Sequence, residues 1–304
     1  MDAMNAVIDS LKQLLAAEDV QVAAPMSAHT TFKIGGPAQV LVTPRTVEQI
    51  QGVFAVAKAA NVPVRVMGLG SNILVSDAGL EGIVVKLAEN FSAVEIEGQT
   101  VRCQAGASNE AVARKAQQAG LAGYEFASGI PGTIGGAAIM NAGAYGGEFK
   151  DVAQSVACLT PEGRVVEVPA SQANWGYRHS MMMDAGYVVL GATLKLQPDD
   201  QAAIQERMDD LAKRRQEKQP LEMPSAGSTF KRPEGYFAGK LIQDAGLRGY
   251  QVGGAQVSTK HTGFVVNAGG ATAADVLQLI SDVQQRVLET QGVTMEPEVR
   301  MWGF

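Results

Sequence analysis

Apolar residues recur at helical spacing in two early stretches, 4–17 (MNAVIDSLKQLLAA) and 46–60 (TVEQIQGVFAVAKAA). Thr46 stands where a hydroxyl would cap the second of these helices. Between them, Gln39–Thr43 reads as a short strand. A longer apolar run, 62–67 (VPVRVM), leads straight into glycines, and 82–87 (GIVVKL) follows. Residues 92–97 and 100–104 alternate around Gly98 as a hairpin does. Residues 108–119 predict a helix with Ser108 or Asn109 as its cap, and strands return at 153–159, 164–168 and 187–197.

The pattern changes at Pro198. Residues 198–220 are densely charged and helical, and this change marks the domain boundary. Beyond it come a loop or strand at 224–230, a helix at 237–246, a strand at 262–267, an amphipathic helix at 271–290 and a closing strand at 297–304. The succession near 262–302 predicts a small sheet with helices on one side, so the chain reads as α+β throughout. A length of 304 residues fits two domains, expected at 1–198 and 199–297.

Composition narrows the function. The net charge is −6 and no basic cluster forms a face, which argues against nucleic acid as a partner. No apolar run approaches the roughly 18 residues of a membrane span, and the first residues lack a signal-peptide pattern. A cytoplasmic protein is expected. Cys103 and Cys158 lie in apolar strand-like runs without metal-ligand spacing and read as core thiols. With three scattered histidines, no metal site is expected. Oligomeric state leaves no mark on the sequence.

Glycine is the outlier at 34 residues, well above a usual share of roughly 7%. The first concentration is Gly68, Leu69, Gly70, Ser71 and Asn72. It is neither a P-loop nor a dinucleotide fingerprint, and it reads either as a tight turn between strands or as a nest for a diphosphate. The second spans 128–147 (SGIPGTIGGAAIMNAGAYGG), with Asn141 as a further donor. Its Ile130, Ile134, Ile139 and Met140 are too apolar for a surface linker. A glycine-packed sheet corner and a buried cofactor wall both fit. Three polar patterns stand apart: 176–180 (GYRHS), 225–231 (SAGSTFK) and 296–300 (EPEVR). Ser228 lacks a nucleophile-elbow setting, which argues against a hydrolase triad.

TFKIGG (31–36), GLGSNIL (68–74), SGIPGTIGGA (128–137), GYR, SAGSTFK and EPEVR occur in this order. From about residue 28 to the C-terminus the chain resembles the UDP-N-acetylenolpyruvoylglucosamine reductase family. The resemblance implies a vanillyl-alcohol-oxidase (PCMH-type) FAD-binding fold over 1–198. Its two α+β subdomains would span about 1–87 and 88–198 and be joined by the last strand near 298–304, with a C-terminal α+β substrate-binding domain beside them. It implies FAD as cofactor, NADPH as co-substrate and a UDP-sugar as substrate. The flavin diphosphate loop falls on Gly68–Asn72. The second flavin wall falls on Gly129, Ile130, Pro131, Gly132, Thr133, Gly135 and Gly136. The resemblance places the catalytic arginine at Arg178 with Tyr177 alongside, the proton donor at Ser228 and the glutamate at Glu298 rather than Glu296. Lys218 matches a basic residue near the substrate diphosphate. Val188 follows Arg178 by ten positions, so the chain resembles the shorter family branch, which lacks a tyrosine-bearing insertion there. Arg232 stands where the family commonly has asparagine.

The chemistry suits these residue types. In the implied reaction a hydride from flavin N5 reaches C3 of the enolpyruvyl group, and negative charge gathers on C2 and its carboxylate. A cation such as Arg178 stabilises that charge. Glu298 helps only when protonated or as the orienter of another donor. A serine hydroxyl suffices as the acid because the carbanion is strongly basic. Two other readings remain at this stage: a different FAD enzyme of the same fold, acting on an alcohol or sugar, and a non-catalytic nucleotide-sugar-binding regulator. Neither glycine loop offers a His or Cys to the cofactor, so the flavin is expected to be noncovalent. Acid precipitation should leave the yellow colour in the supernatant, and a yellow pellet would show covalent attachment.

Overall fold

The structure, a computed structural model, describes residues 3–304. Its contacts divide the chain into two compact units, each assembled from separated segments. The first holds the chain up to Val22, Val40–Leu69 and Gly82–Arg214. The second holds Ala23–Gln39, Gly70–Glu81 and Arg215–Phe304.

The first unit contains α1 (Ala3–Leu14), α2 (Val47–Ala60), α3 (Asn109–Gln118), α4 (Ile134–Met140), α5 (Met181–Asp184) and most of α6 (Gln201–Lys218). The Thr46 hydroxyl accepts from Gln49 N at 3.2 Å and starts α2. The Ser108 hydroxyl does the same for α3, from Ala111 N at 3.1 Å. One sheet orders its strands Val20–Pro25, Pro37–Val42, Leu80–Lys86 and Val64–Met67, the last two parallel. A second is antiparallel, in the order Val165–Pro169, Ala153–Leu159, Val188–Lys195, Thr100–Gln104 and Val94–Glu97. The hairpin expected around Gly98 is the pair at its edge. Cys103 and Cys158 are buried in this sheet, and burial pushes each thiol up to about 12. Both therefore stay protonated at neutral pH and act as packing groups.

The second unit is a four-stranded antiparallel sheet in the order Ser225–Ser228, Phe264–Asn267, Ala255–Val257 and Gln251–Val252, with α7 (Ala238–Asp244) and α8 (Ala273–Gln291). Val276, Leu279, Ile280, Val283 and Val287 form the buried stripe of α8. Its first turn is closed by a capping box of Thr272 and Asp275, and Asp77 accepts from Ala273 N at 2.8 Å and Ala274 N at 3.0 Å. Phe32, Ile34 and Leu74, far earlier in the chain, are buried in the same core.

Two features differ from the linear reading. The units do not divide at Pro198, because α6 is held to the first unit through Arg207. Its guanidinium meets Glu125 Oε1 at 2.8 Å and Asp199 Oδ2 at 2.6 Å. The closing strand Arg300–Trp302 does not extend the small sheet. It runs parallel to Ile73–Val75, a short apolar strand whose three side chains are buried.

Asp19 is a heavily bonded carboxylate of the first unit. It is nearly fully buried and receives Arg45 Nε at 2.6 Å, Asn90 Nδ2 at 2.8 Å and the Thr43 hydroxyl at 3.1 Å. These donors, Arg45 foremost, hold it below the ordinary aspartate value of 3.8. A depressed carboxylate stabilises the fold above its unfolded value and stops doing so as pH falls through the folded one. Asp19→Asn should therefore lower the thermal unfolding temperature at pH 7, with the gap to wild type narrowing below pH 3.8. A gap that persists unchanged at pH 2 would show that charge is not the cause.

Candidate functional site

In the first unit, strand Val64–Met67 ends at Gly68, and the first glycine loop begins there. A Cβ on Gly68 would overlap the Thr133 hydroxyl and sit 2.9 Å from its methyl carbon. The two glycine loops, sixty-odd residues apart in sequence, thus meet in space. Thr133 also caps α4 by accepting from Gly136 N at 3.5 Å. Residues 129–136 are tied down from one side. Asn109 N donates to Gly132 O at 3.1 Å, Ile134 N to Ala107 O at 2.8 Å and Gly135 N to Ala105 O at 2.8 Å. The Asn109 amide reaches Ile130 O at 3.3 Å and accepts from the Tyr124 hydroxyl at 2.9 Å. Gly129, Ile130, Pro131, Gly132 and Gly136 keep exposed or half-exposed surface. A pinned ribbon without bulky polar side chains can lie flat against a planar ring system. The residues fit an FAD wall.

The same unit presents Arg178 on a tight turn. Gly176 N donates to His179 O at 3.1 Å and His179 N to Gly176 O at 3.4 Å, so Tyr177 and Arg178 are its central residues. Arg178 adopts φ +55°, a left-handed conformation that costs a side-chain-bearing residue about 1–2 kcal/mol. Its guanidinium lies 4.9 Å from the centre of the exposed Tyr177 ring. Glu148 is held below the ordinary carboxylate range, chiefly by Lys150, then by the Asn141 amide, with the Arg178 charge contributing.

In the second unit, Gly70, Ser71 and Asn72 continue the first loop. Thr31 N donates to Gly70 O at 3.2 Å, and the Thr31 hydroxyl donates to Ser225 O at 2.7 Å. The Asn72 amide reaches Glu298 O at 3.3 Å, and Arg300 N donates to Asn72 O at 3.0 Å. Glu298 N donates to Thr229 O at 2.8 Å. The loop, the serine segment and the terminal motif are therefore laced together by their backbones. Between Ser225 and Ser228 the strand carries a bulge against Val266 and Phe264, with Gly227 at φ +75°. Such a bulge re-aims the following side chain, and Ser228 is exposed. Glu296 pairs with Lys231, whereas Glu298 is half-buried.

Among the expected residues, Ser228, Glu298, Ser71 and Asn72 are gathered in the second unit, and Arg178, Tyr177, Gly68, Leu69 and Gly129–Gly136 belong to the first. Lys218 stands at the exposed end of α6. Arg232 donates Nε to Tyr236 O at 3.0 Å and stacks 3.9 Å above the Phe237 ring. Sequence reasoning assigned no role to Thr31, although it lies inside the first quoted motif. It also left the side chain of Asn141 without a partner. Among the described residues, no group of three or more His, Cys, Asp or Glu gathers as a metal site, and no helix is long and apolar enough to cross a membrane.

Comparison with known proteins adds names to this geometry. Residues 37–169 match an FAD binding domain family, and residues 219–302 match the C-terminal domain family of UDP-N-acetylenolpyruvoylglucosamine reductase. The reductase of that name from Lachnoclostridium phytofermentans is 50% identical over 303 residues, covering 98% of each chain. The crystal structure of the Thermus caldophilus enzyme superposes with a TM-score of 0.80 at 35% identity, covering 93% of this chain and 98% of that one. Alkyldihydroxyacetonephosphate synthase shares 64% of this chain at a TM-score of 0.51 and 18% identity, a likeness of fold alone. That fold is the vanillyl-alcohol-oxidase (PCMH-type) FAD-binding fold, with a C-terminal α+β domain added.

Gly68→Ala should lower the unfolding temperature, because overpacking of this kind costs about 1–3 kcal/mol. Thr133→Ala removes the overlap but also the cap of α4, a loss of about 0.5–2 kcal/mol. Gly68→Ala should therefore cost less in the Thr133→Ala background than in wild type, the contact with the retained Cβ at 3.1 Å being all that remains. A Gly68→Ala protein that unfolds at the wild-type temperature would refute the contact.

Proposed function

The chain belongs to the UDP-N-acetylenolpyruvoylglucosamine reductase family, and from that membership we propose that it reduces the enolpyruvyl ether of UDP-N-acetylenolpyruvoylglucosamine to UDP-N-acetylmuramate. NADPH is the proposed electron donor. Gly68–Asn72 and Gly129–Gly136 would hold FAD, which when bound supplies the hydride for C3. Arg178 places its fixed positive charge at the substrate carboxylate, where negative charge grows as the double bond is lost. Ser228 delivers a proton from its hydroxyl to C2. Glu298 helps stabilise the enolate, either protonated or by orienting another donor, and Tyr177 and Lys218 serve the substrate body and its diphosphate.

One observation carries most weight in this reading. Ser228 and Glu298 are seventy residues apart in sequence, yet Glu298 N donates to the carbonyl of Thr229, the residue after the serine. The bulge at Gly227 then leaves the Ser228 hydroxyl exposed beside that junction. Exposure on a pinned strand is what a proton donor requires: fixed in place, yet open to substrate.

Ser228→Ala tests the assignment when the two half-reactions are followed separately. Flavin reduction by NADPH should stay within about twofold of wild type, and reoxidation by substrate should fall by about 10²–10⁴-fold, the usual contribution of a general acid. Equal slowing of both steps would show that Ser228 is not the proton donor.

A further inference from the structure

We infer that Asn141 is a positioning residue for Arg178, an inference that rests on the catalytic role proposed above for that arginine. Asn141 is buried and closes α4 in a left-handed conformation, φ +43°. Its amide nitrogen donates to Gly176 O at 3.1 Å and to Glu148 Oε2 at 3.0 Å, and its oxygen accepts from Lys150 N at 3.0 Å. Gly176 is the first residue of the turn that carries Tyr177 and Arg178, and Glu148 is a carboxylate that feels the Arg178 charge. One side chain therefore bonds both the turn's backbone and a carboxylate to whose lowered value the Arg178 charge contributes least.

The same helix end grips the turn on both flanks. Trp175 Nε1 donates to Ala138 O at 2.8 Å, and the Ser180 hydroxyl donates to Ile139 O at 2.8 Å. Trp175 precedes the turn and Ser180 follows it, and both acceptors are carbonyls that α4 leaves open at its end. Arg178 sits in a backbone conformation that persists only where its surroundings over-determine it. Asn141, Trp175 and Ser180 supply that constraint. Of these three, Asn141 also bonds Glu148, the ion-pair partner of Lys150.

Asn141→Gly permits the left-handed backbone and removes the amide. Asn141→Asp keeps the acceptor for Lys150 N but loses the donor to Gly176, and serves if the glycine variant fails to fold. As holoenzymes, both should keep wild-type flavin content and flavin reduction by NADPH. Reoxidation by UDP-N-acetylenolpyruvoylglucosamine should fall about 10- to 100-fold, the scale of a small misplacement of a reacting group. In an Arg178→Ala background, Asn141→Gly should change that rate by less than about twofold, since a residue that acts through another adds nothing once its target is gone. Calorimetric affinity of the oxidised enzyme for the substrate should follow the same non-additive pattern. Multiplicative losses in the double variant, or a wild-type rate for Asn141→Gly, would overturn the inference while leaving Arg178 intact. A wild-type reoxidation rate for Arg178→Ala would instead overturn the catalytic reading itself.

Discussion

A bare hydrogen at the Gly68 α-carbon lets a strand end directly against the Thr133 side chain, and a path from the glycine wall to the Arg178 turn starts at that contact. Thr133 caps α4, a helix of seven residues. The other end of α4 is Asn141, whose amide holds the turn that presents Arg178. Glycine wall, helix and arginine turn thus form one short mechanical path. A side chain at Gly68 would displace the helix cap and, through it, everything α4 supports.

The second unit solves a different problem. Its exposed Ser228 hydroxyl, the proton donor of the proposed reaction, sits on a pinned strand. Its strand is fixed on one side by Phe264–Asn267 and on the other through Thr229 and Lys231 by the terminal motif. The single extra residue at the bulge turns Ser228 outward while its neighbours Thr229 and Phe230 stay buried. Rigidity comes from the ladder and exposure from its one irregularity.

Local features were legible in the sequence. Thr46 and Ser108 cap the helices where their hydroxyls predicted, and the apolar alternation around Gly98 is a hairpin, because each depends on neighbours a few residues away. Partners distant in sequence were not legible. Ile73–Val75 is short and wholly apolar, a pattern that fits any buried strand, and nothing in it names Arg300–Trp302 as its mate. Phe32 and Ile34 carry no sign that they belong to the core of α8. The charge of the helical stretch 198–220 suggested a domain boundary, but charge alone does not say that Arg207 grips Glu125. For the site, motif order proposed Arg178, Ser228 and Glu298. The left-handed backbone of Arg178 and the bond from Asn141 to Gly176 appear only in three dimensions.

The discontinuity of both units has a consequence for how the protein is made. Phe32, Ile34 and Leu74 leave the ribosome long before the strands and helix that bury them, which lie between Ala226 and Val299. Several native contacts must therefore wait for nearly complete synthesis, the slow regime for chains dominated by long-range pairing. No single cut releases either unit whole, since the chain passes between them at Val22, Gln39, Leu69, Glu81 and Arg214. A nascent chain halted midway carries apolar segments whose native partners are not yet in existence.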